Sequence, residues 1–289
     1  MNRYVCIRDD DANFFTAPAE LRKAYGENWG RIPLTLAVIP FVHGSDAKIL
    51  EPGGLEGLLE WEKSASPEEL ERYNALHPAG DNEALAKELS GLVREGKVEI
   101  AQHGLTHRYA SKGPELMNGF VPAEKIQEGR RHLEETFKCR VGVFIPPGNM
   151  IDERQTLELK KLKLNMFSSW PVWYPSVRRR ALSYIRYPGT VADVLSHRLL
   201  GNTSPVRNYC GVKTIHSIIF DTYDDAAAVF ALARAELEKT GFTAIATHYR
   251  HLLKDGNAGK FAALLRRLGE IEGVKFVTAS EYIQKASGK

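Results

Sequence analysis

Cysteine is scarce in this chain and is not paired. Cys6, Cys139 and Cys210 are odd in number and far apart, which argues against a disulfide frame and suits reduced thiols in a cytosolic protein. Long apolar runs are also missing. No segment approaches the ~20 apolar residues that a membrane span requires. The N-terminal stretch Met1 to Arg8 enters a strand pattern at once and reaches three aspartates before any apolar run long enough for a signal peptide. The expected compartment is therefore the cytoplasm. Neither sign of charge dominates: the net charge is +3, with Lys and Arg spread along the chain, which provides no face for nucleic acid or a membrane surface. With no internal repeat and no low-complexity linker, one domain over residues 1–289 is expected, carrying insertions near 44–97 and 171–212.

What the sequence does contain is a regular alternation of strand and helix patterns. Strand-like runs occur at Tyr4–Arg8, Arg31–Pro40, Val98–Ala101, Arg140–Ile145, Asn165–Ser169, Lys213–Phe220, Phe242–Thr247 and Val274–Thr278. Helix patterns fall between them at Glu83–Glu95, Ala123–Phe137, Glu153–Leu162, Asp221–Thr240 and Lys260–Ile271, with a closing helix from Ala279. The near-continuous apolar run at 31–40 is of the kind found in parallel sheets buried on both faces. This order predicts an α/β fold of parallel strands, closed or nearly closed into a barrel.

Chemistry-bearing residues collect where the strands end. The first strand delivers Asp9-Asp10-Asp11, whose mutual repulsion must be offset by solvent or a cation. The run ending at Ala101 leads into Gln102-His103-Gly104-Leu105-Thr106-His107. Two imidazoles four residues apart at a strand end, on the first turn of a helix or a tight loop, can hold one ion, although a pair of satisfied histidines has the same pattern. A rigid Pro146-Pro147-Gly148-Asn149 turn follows the fourth strand, Trp170 and Trp173 follow the fifth, and His248 follows the seventh. The two tryptophans suit either stacking on a sugar face or simple packing. His43, His77, His197 and His216 are read as residues without a chemical task, and His251 lies near enough to His248 to share its mouth. Arg178-Arg179-Arg180 reads as a solvated face.

The succession of these motifs resembles the polysaccharide deacetylases, the NodB-homology carbohydrate esterases, which fold as a distorted (β/α) barrel. Their first strand ends in Thr-Phe-Asp-Asp-Gly. Ile7-Arg8-Asp9-Asp10-Asp11-Ala12 occupies the matching place, so the resemblance puts the catalytic base on Asp10 and a metal-binding carboxylate on Asp11. A one-residue slip would transfer these roles to Asp9 and Asp10, and the sequence leaves both registers open. The motif His-Ser/Thr-x-x-His matches His103 to His107 and implies two further metal ligands, His103 and His107. The family's Leu-His, which carries the general acid, matches Thr247-His248. Pro146, Pro147, Gly148, Asn149 and Trp170 fall on substrate-binding positions. One motif departs: Arg-Pro-Pro-Tyr-Gly reads Ile145-Pro146-Pro147-Gly148-Asn149, and the arginine that pairs with the base is absent. Arg8, adjacent in the first strand, is one candidate to replace it.

The resemblance implies one divalent metal, Zn²⁺ first with Co²⁺, Ni²⁺ and Mn²⁺ as alternatives, and hydrolysis of an N-acetyl group on an amino sugar or related intracellular amide. The partner is a small-molecule or carbohydrate substrate. Two rivals differ in kind: a metal-dependent hydrolase of another C–N bond, such as a cyclic amide or ureide, and a carbohydrate-binding barrel without catalysis.

Overall fold

The alternation of strands and helices folds into one curled sheet, seen in a computed structural model that describes residues 2–46, 53–173, 205–223 and 225–287. The strands are β1 (Arg3–Ala12), β2 (Leu34–Val38), β3 (Phe41–His43), β4 (Leu76–Pro78), β5 (Val98–His103), β6 (Val143–Ile145), β7 (Asn165–Phe167), β8 (Val206–Tyr209), β9 (Val212–Ile215), β10 (Ile218–Ile219), β11 (Phe242–His248) and β12 (Val274–Val277). The large sheet runs β10-β11-β1-β2-β5-β6-β7-β9-β8, parallel throughout except between β8 and β9. β12 also pairs with β1, along Arg3–Cys6, whereas β2 takes Arg8–Ala12. β1 therefore has neighbours on both edges.

The expected strand at 213–220 is two strands. Its first half, β9, pairs with β7, and its second, β10, pairs with β11 near the other end of the sheet. Only His216 and Ser217 separate them, and three residue steps span at most about 10 Å. The sheet must therefore curl until its ends adjoin. The chain itself draws the barrel nearly shut, and no β9–β10 ladder exists among the described residues.

Period-two alternation sorts each strand into an outer and an inner face. Val5 and Ile7 of β1, Leu34, Leu36 and Val38 of β2 and Ile100 of β5 face outward. There they meet apolar residues of the helices Pro18–Tyr25, Glu83–Arg94, Ala123–Phe137, Ala226–Thr240 and Asn257–Gly269. Full burial of each Leu, Ile or Phe in this layer contributes roughly 1.5–3 kcal/mol. The inner face carries small residues, Cys6, Ala37, Ala101 and Ala244, with Val143, Ile145, Phe167 and Ile215 opposite. Small inner residues leave room for a long one, and Arg8 lies there with 1% of its surface exposed.

Side-chain caps and a glycine turn set several helix ends. Ser66 accepts from the Glu69 N–H and Glu69 from the Ser66 N–H, starting the helix Pro67–Asn74, whereas Asp152 starts Glu153–Lys161 with the single bond it accepts from the Gln155 N–H. Gly241 closes Ala226–Thr240 in a left-handed turn, φ +79. His77 lies on β4, which pairs antiparallel with β3, and its ring stacks on Phe14. Of the expected 171–212 insertion, residues 174–204 lie outside the described residues, as do Arg178–Arg180 and His197. No described helix is long and apolar enough to cross a membrane.

Candidate active site

The three aspartates of β1 do not share a fate. Asp9 is on the outer face, where its carboxylate accepts from the Tyr25 hydroxyl (2.5 Å) and the Tyr249 N–H (3.0 Å). Burial pushes its pKa well above the ordinary value, although both hydrogen bonds work against that. Asp10 is on the inner face with Cys6 and Arg8. Strict alternation would return Asp11 to the outer face. Instead β1 carries one extra residue against β2, since Asp9 pairs with Leu36 and Ala12 with Val38, and Asp11 adopts φ +74. This bulge re-aims the third carboxylate toward the barrel mouth.

There it meets the two histidines. The Asp11 carboxylate oxygen Oδ1 lies 3.1 Å from His103 Nε2 and 3.2 Å from His107 Nε2. Both Nδ1 atoms are already committed: His103 Nδ1–H donates to the Ile145 carbonyl (3.0 Å) and His107 Nδ1–H to the Asp46 carboxylate (2.8 Å). These outer bonds orient both rings with Nε2 toward Asp11, so that in the neutral form each Nε2 has its lone pair free for an ion. Burial alone would lower the His107 pKa, but Asp11 and Asp46 outweigh it and raise it to about 9.

The segment between the histidines is a tight loop rather than a helix, with Gly104 at φ +59 and His107 at φ +57. Glu115 shapes it. This buried carboxylate accepts from the N–H groups of Leu105 (2.8 Å), Thr106 (2.8 Å) and His107 (3.3 Å) and from the Thr106 hydroxyl (2.7 Å). A side chain on Gly104 would collide at 2.5 Å with Glu115 Oε2 and Pro147 Cγ.

Asp10 is gripped by Arg8, whose Nε and Nη2 donate to its two oxygens at 2.9 and 2.6 Å. The same guanidinium donates to the Phe167 carbonyl (3.1 Å) and to Asn149 Oδ1 (2.8 Å). Burial favours the neutral acid, but Arg8, His103 and His248 outweigh it and hold Asp10 below the ordinary carboxylate value. The guanidinium that Ile145 cannot provide thus comes from two residues upstream of Asp10 on the same strand face.

His248 ends β11, directly opposite Asp10 in the ladder. Its Nε2 lies 4.0 Å from Asp10 Oδ2 and 3.8 Å from Asp11 Oδ2, while its Nδ1–H donates to Asp221 at 2.5 Å. Burial works against the imidazolium, but Asp11, Asp221 and Asp10 raise it to about 10.

The structure thus brings together Asp10, Asp11, His103, His107 and His248, with Asn149 joined through Arg8 and Pro147 against Gly104. Trp170 stands apart, 59% exposed, lining an open cavity of about 710 Å³ that none of those five residues lines. His43, His216 and His251 form other bonds, with Ser45, Tyr209 and Asn257. Sequence reasoning missed Glu115, Asp46 and Asp221. Asp221 offered the one usable signal, a carboxylate just after a strand.

No protein-family model matches the chain, and no curated protein matches its sequence. Solved structures do match. A protein assigned as a polysaccharide deacetylase from Mycobacterium smegmatis aligns over 100% of this chain and 92% of its own, with a TM-score of 0.51 and 11% identity. The Xyl-CE4 domain of a multidomain xylanase from the hindgut metagenome of Trinervitermes trinervoides aligns over 99% and 92%, with a TM-score of 0.50 and 11% identity. A 4-alpha-glucanotransferase from Thermococcus litoralis reaches 0.50 at 10% identity, over 99% of this chain but 41% of that one. At these identities the likeness is one of fold, and the fold is the curled, mostly parallel barrel of the polysaccharide deacetylases.

Proposed function

We propose that the chain is a metal-dependent hydrolase that removes an N-acetyl group from an amino sugar or a related amide. The observation that carries this reading is the set Asp11, His103 and His107, whose ligand atoms lie within 4.8 Å of one another. A carboxylate and two Nε2 lone pairs, each imidazole held from behind, fit a divalent ion such as Zn²⁺, and three protein ligands suit a catalytic rather than a structural site. Bound there, the ion would supply Lewis acidity toward an acyl oxygen and toward water.

The remaining steps fall to the chain's own side chains. Asp10, kept ionised by Arg8, accepts a proton from the attacking water. His248, oriented by Asp221, donates the proton that the departing amine nitrogen needs, so one water and one amide give acetate and a free amine. The Pro146 to Asn149 turn offers backbone to the acyl group. The 4-alpha-glucanotransferase shows that this fold also serves other chemistry, so the reaction rests on the site.

Elemental analysis of protein purified without chelator or polyhistidine tag tests the reading. About one equivalent of transition metal is expected in the wild type, lost in His103→Ala/His107→Ala with the fold retained. Acetate release from N-acetyl sugars follows. A C–N cut without a small acid would point to a cyclic amide or ureide, and sugar binding indifferent to Asp10→Asn would point to a non-catalytic barrel.

A further inference from the structure

Tyr109 belongs to none of the motifs above, yet its ring packs edge-on against His107, with centroids 5.3 Å apart at 68°. Its hydroxyl reaches the turn after β6, where a side chain on Gly148 would stand 3.1 Å from that oxygen and equally close to Pro114. Gly148 has φ +59, and its N–H donates to no group among the described residues. The Tyr109 hydroxyl, in a half-buried residue, likewise has no hydrogen-bond partner among the described residues. Its oxygen is open to solvent and so free to meet a ligand. The Tyr109 hydroxyl thus stands beside a metal-ligand candidate, at the Gly148 turn, with nothing among the described residues to receive it. Glycine at 148 is what permits the approach, at the position where the resembled motif carries tyrosine.

We propose that the Tyr109 hydroxyl donates a hydrogen bond to the acyl carbonyl oxygen of the substrate. The proposal rests on the hydrolase reading above. As water adds, the carbonyl π pair moves onto that oxygen, and a hydroxyl already bonded to it strengthens its bond without reorganising. The phenol keeps its proton throughout, so no acid or base is consumed. Packing against His107 alone would need only the ring.

Tyr109→Phe separates the two roles because it keeps the ring and removes the hydroxyl. The probe is acetohydroxamate, a small acyl compound, titrated calorimetrically into zinc-loaded wild type and variant. The expected result is one equivalent of zinc in both proteins, with acetohydroxamate affinity about tenfold or more weaker in the variant and kcat for acetate release lowered at least as much with KM little changed. Equal zinc and equal acetohydroxamate affinity would overturn the role of Tyr109 and leave the hydrolase reading standing. A wild type that binds no zinc or other divalent metal would overturn the reading and the proposal together.

Discussion

A guanidinium with almost no exposed surface is costly to bury, and Arg8 is tolerated because every direction it points has an acceptor: both Asp10 oxygens, the Phe167 carbonyl and Asn149. Removing one member of such a pair leaves the other as an uncompensated charge in the barrel. Arg8→Ala is expected to cost about 3–5 kcal/mol in urea denaturation. Adding Asp10→Asn to that variant should restore part of the loss, whereas in the wild type the same change destabilises. Additive effects in this double-mutant cycle would refute the coupling. His107 gives a second prediction at this scale. Metal needs its neutral form, yet the imidazolium persists up to about 9 instead of the ordinary 6.5. Each unit of falling pH below about 9 leaves tenfold less neutral imidazole, so metal affinity should fall about tenfold per unit down toward neutrality and level off above 9. Calorimetry in buffers of different ionisation heat should detect close to one proton released per metal at pH 7. Affinity unchanged between pH 7 and 9 would contradict the assignment of His107 as a ligand.

Among the elements, the loop from Gly104 to His107 has the fewest alternatives. Glu115 satisfies its N–H groups as a helix N-terminus would be satisfied by a cap, but from outside the loop. Glu115→Gln should therefore leave the barrel folded and weaken metal binding about 10- to 100-fold, measured by chelator competition. Gly104→Ala meets both a left-handed φ and the two contacts at 2.5 Å, and should lower stability by about 1–3 kcal/mol or more while releasing metal.

This loop also shows what could be read in advance. The strand ends were legible because apolar runs stop abruptly before Asp9, His103, Pro146 and His248. The choice between Asp9/Asp10 and Asp10/Asp11 was not, because alternation puts Asp9 and Asp11 on one face and only the bulge separates them. Glu115, Asp46 and Asp221 were hidden for another reason: a carboxylate that accepts from a loop or an imidazole looks, in sequence, like any acidic residue near a turn. The single run at 213–220 concealed a break because Ile215 and Ile218 are apolar in either arrangement.

For the whole molecule, a metal at the proposed site would bind the folded chain only, since Asp11, His103 and His107 converge from β1 and from β5 and the loop after it. At a free concentration of one hundred times Kd it should add about 2.7 kcal/mol to stability. Differential scanning calorimetry should show a rise in Tm on adding zinc, reversed by chelator and absent in His103→Ala/His107→Ala. An equal rise in the double variant would place the bound metal elsewhere.

β1 comes before every other described strand of the sheet in chain order. β1 finds one neighbour early, β2, but its other edge waits for β11, and the Asp9 carboxylate waits for the N–H of Tyr249. Until synthesis has passed β11, a strand carrying three aspartates and an arginine has more than half its hydrogen-bonding groups unpaired, since Arg3–Cys6 also wait for β12. The barrel therefore cannot close progressively behind the emerging chain. Its active end is assembled as one late event, by a pairing of high sequence separation that is slow to form, and a nascent chain stopped short of His248 holds all three metal-ligand candidates without the strand that would seat them.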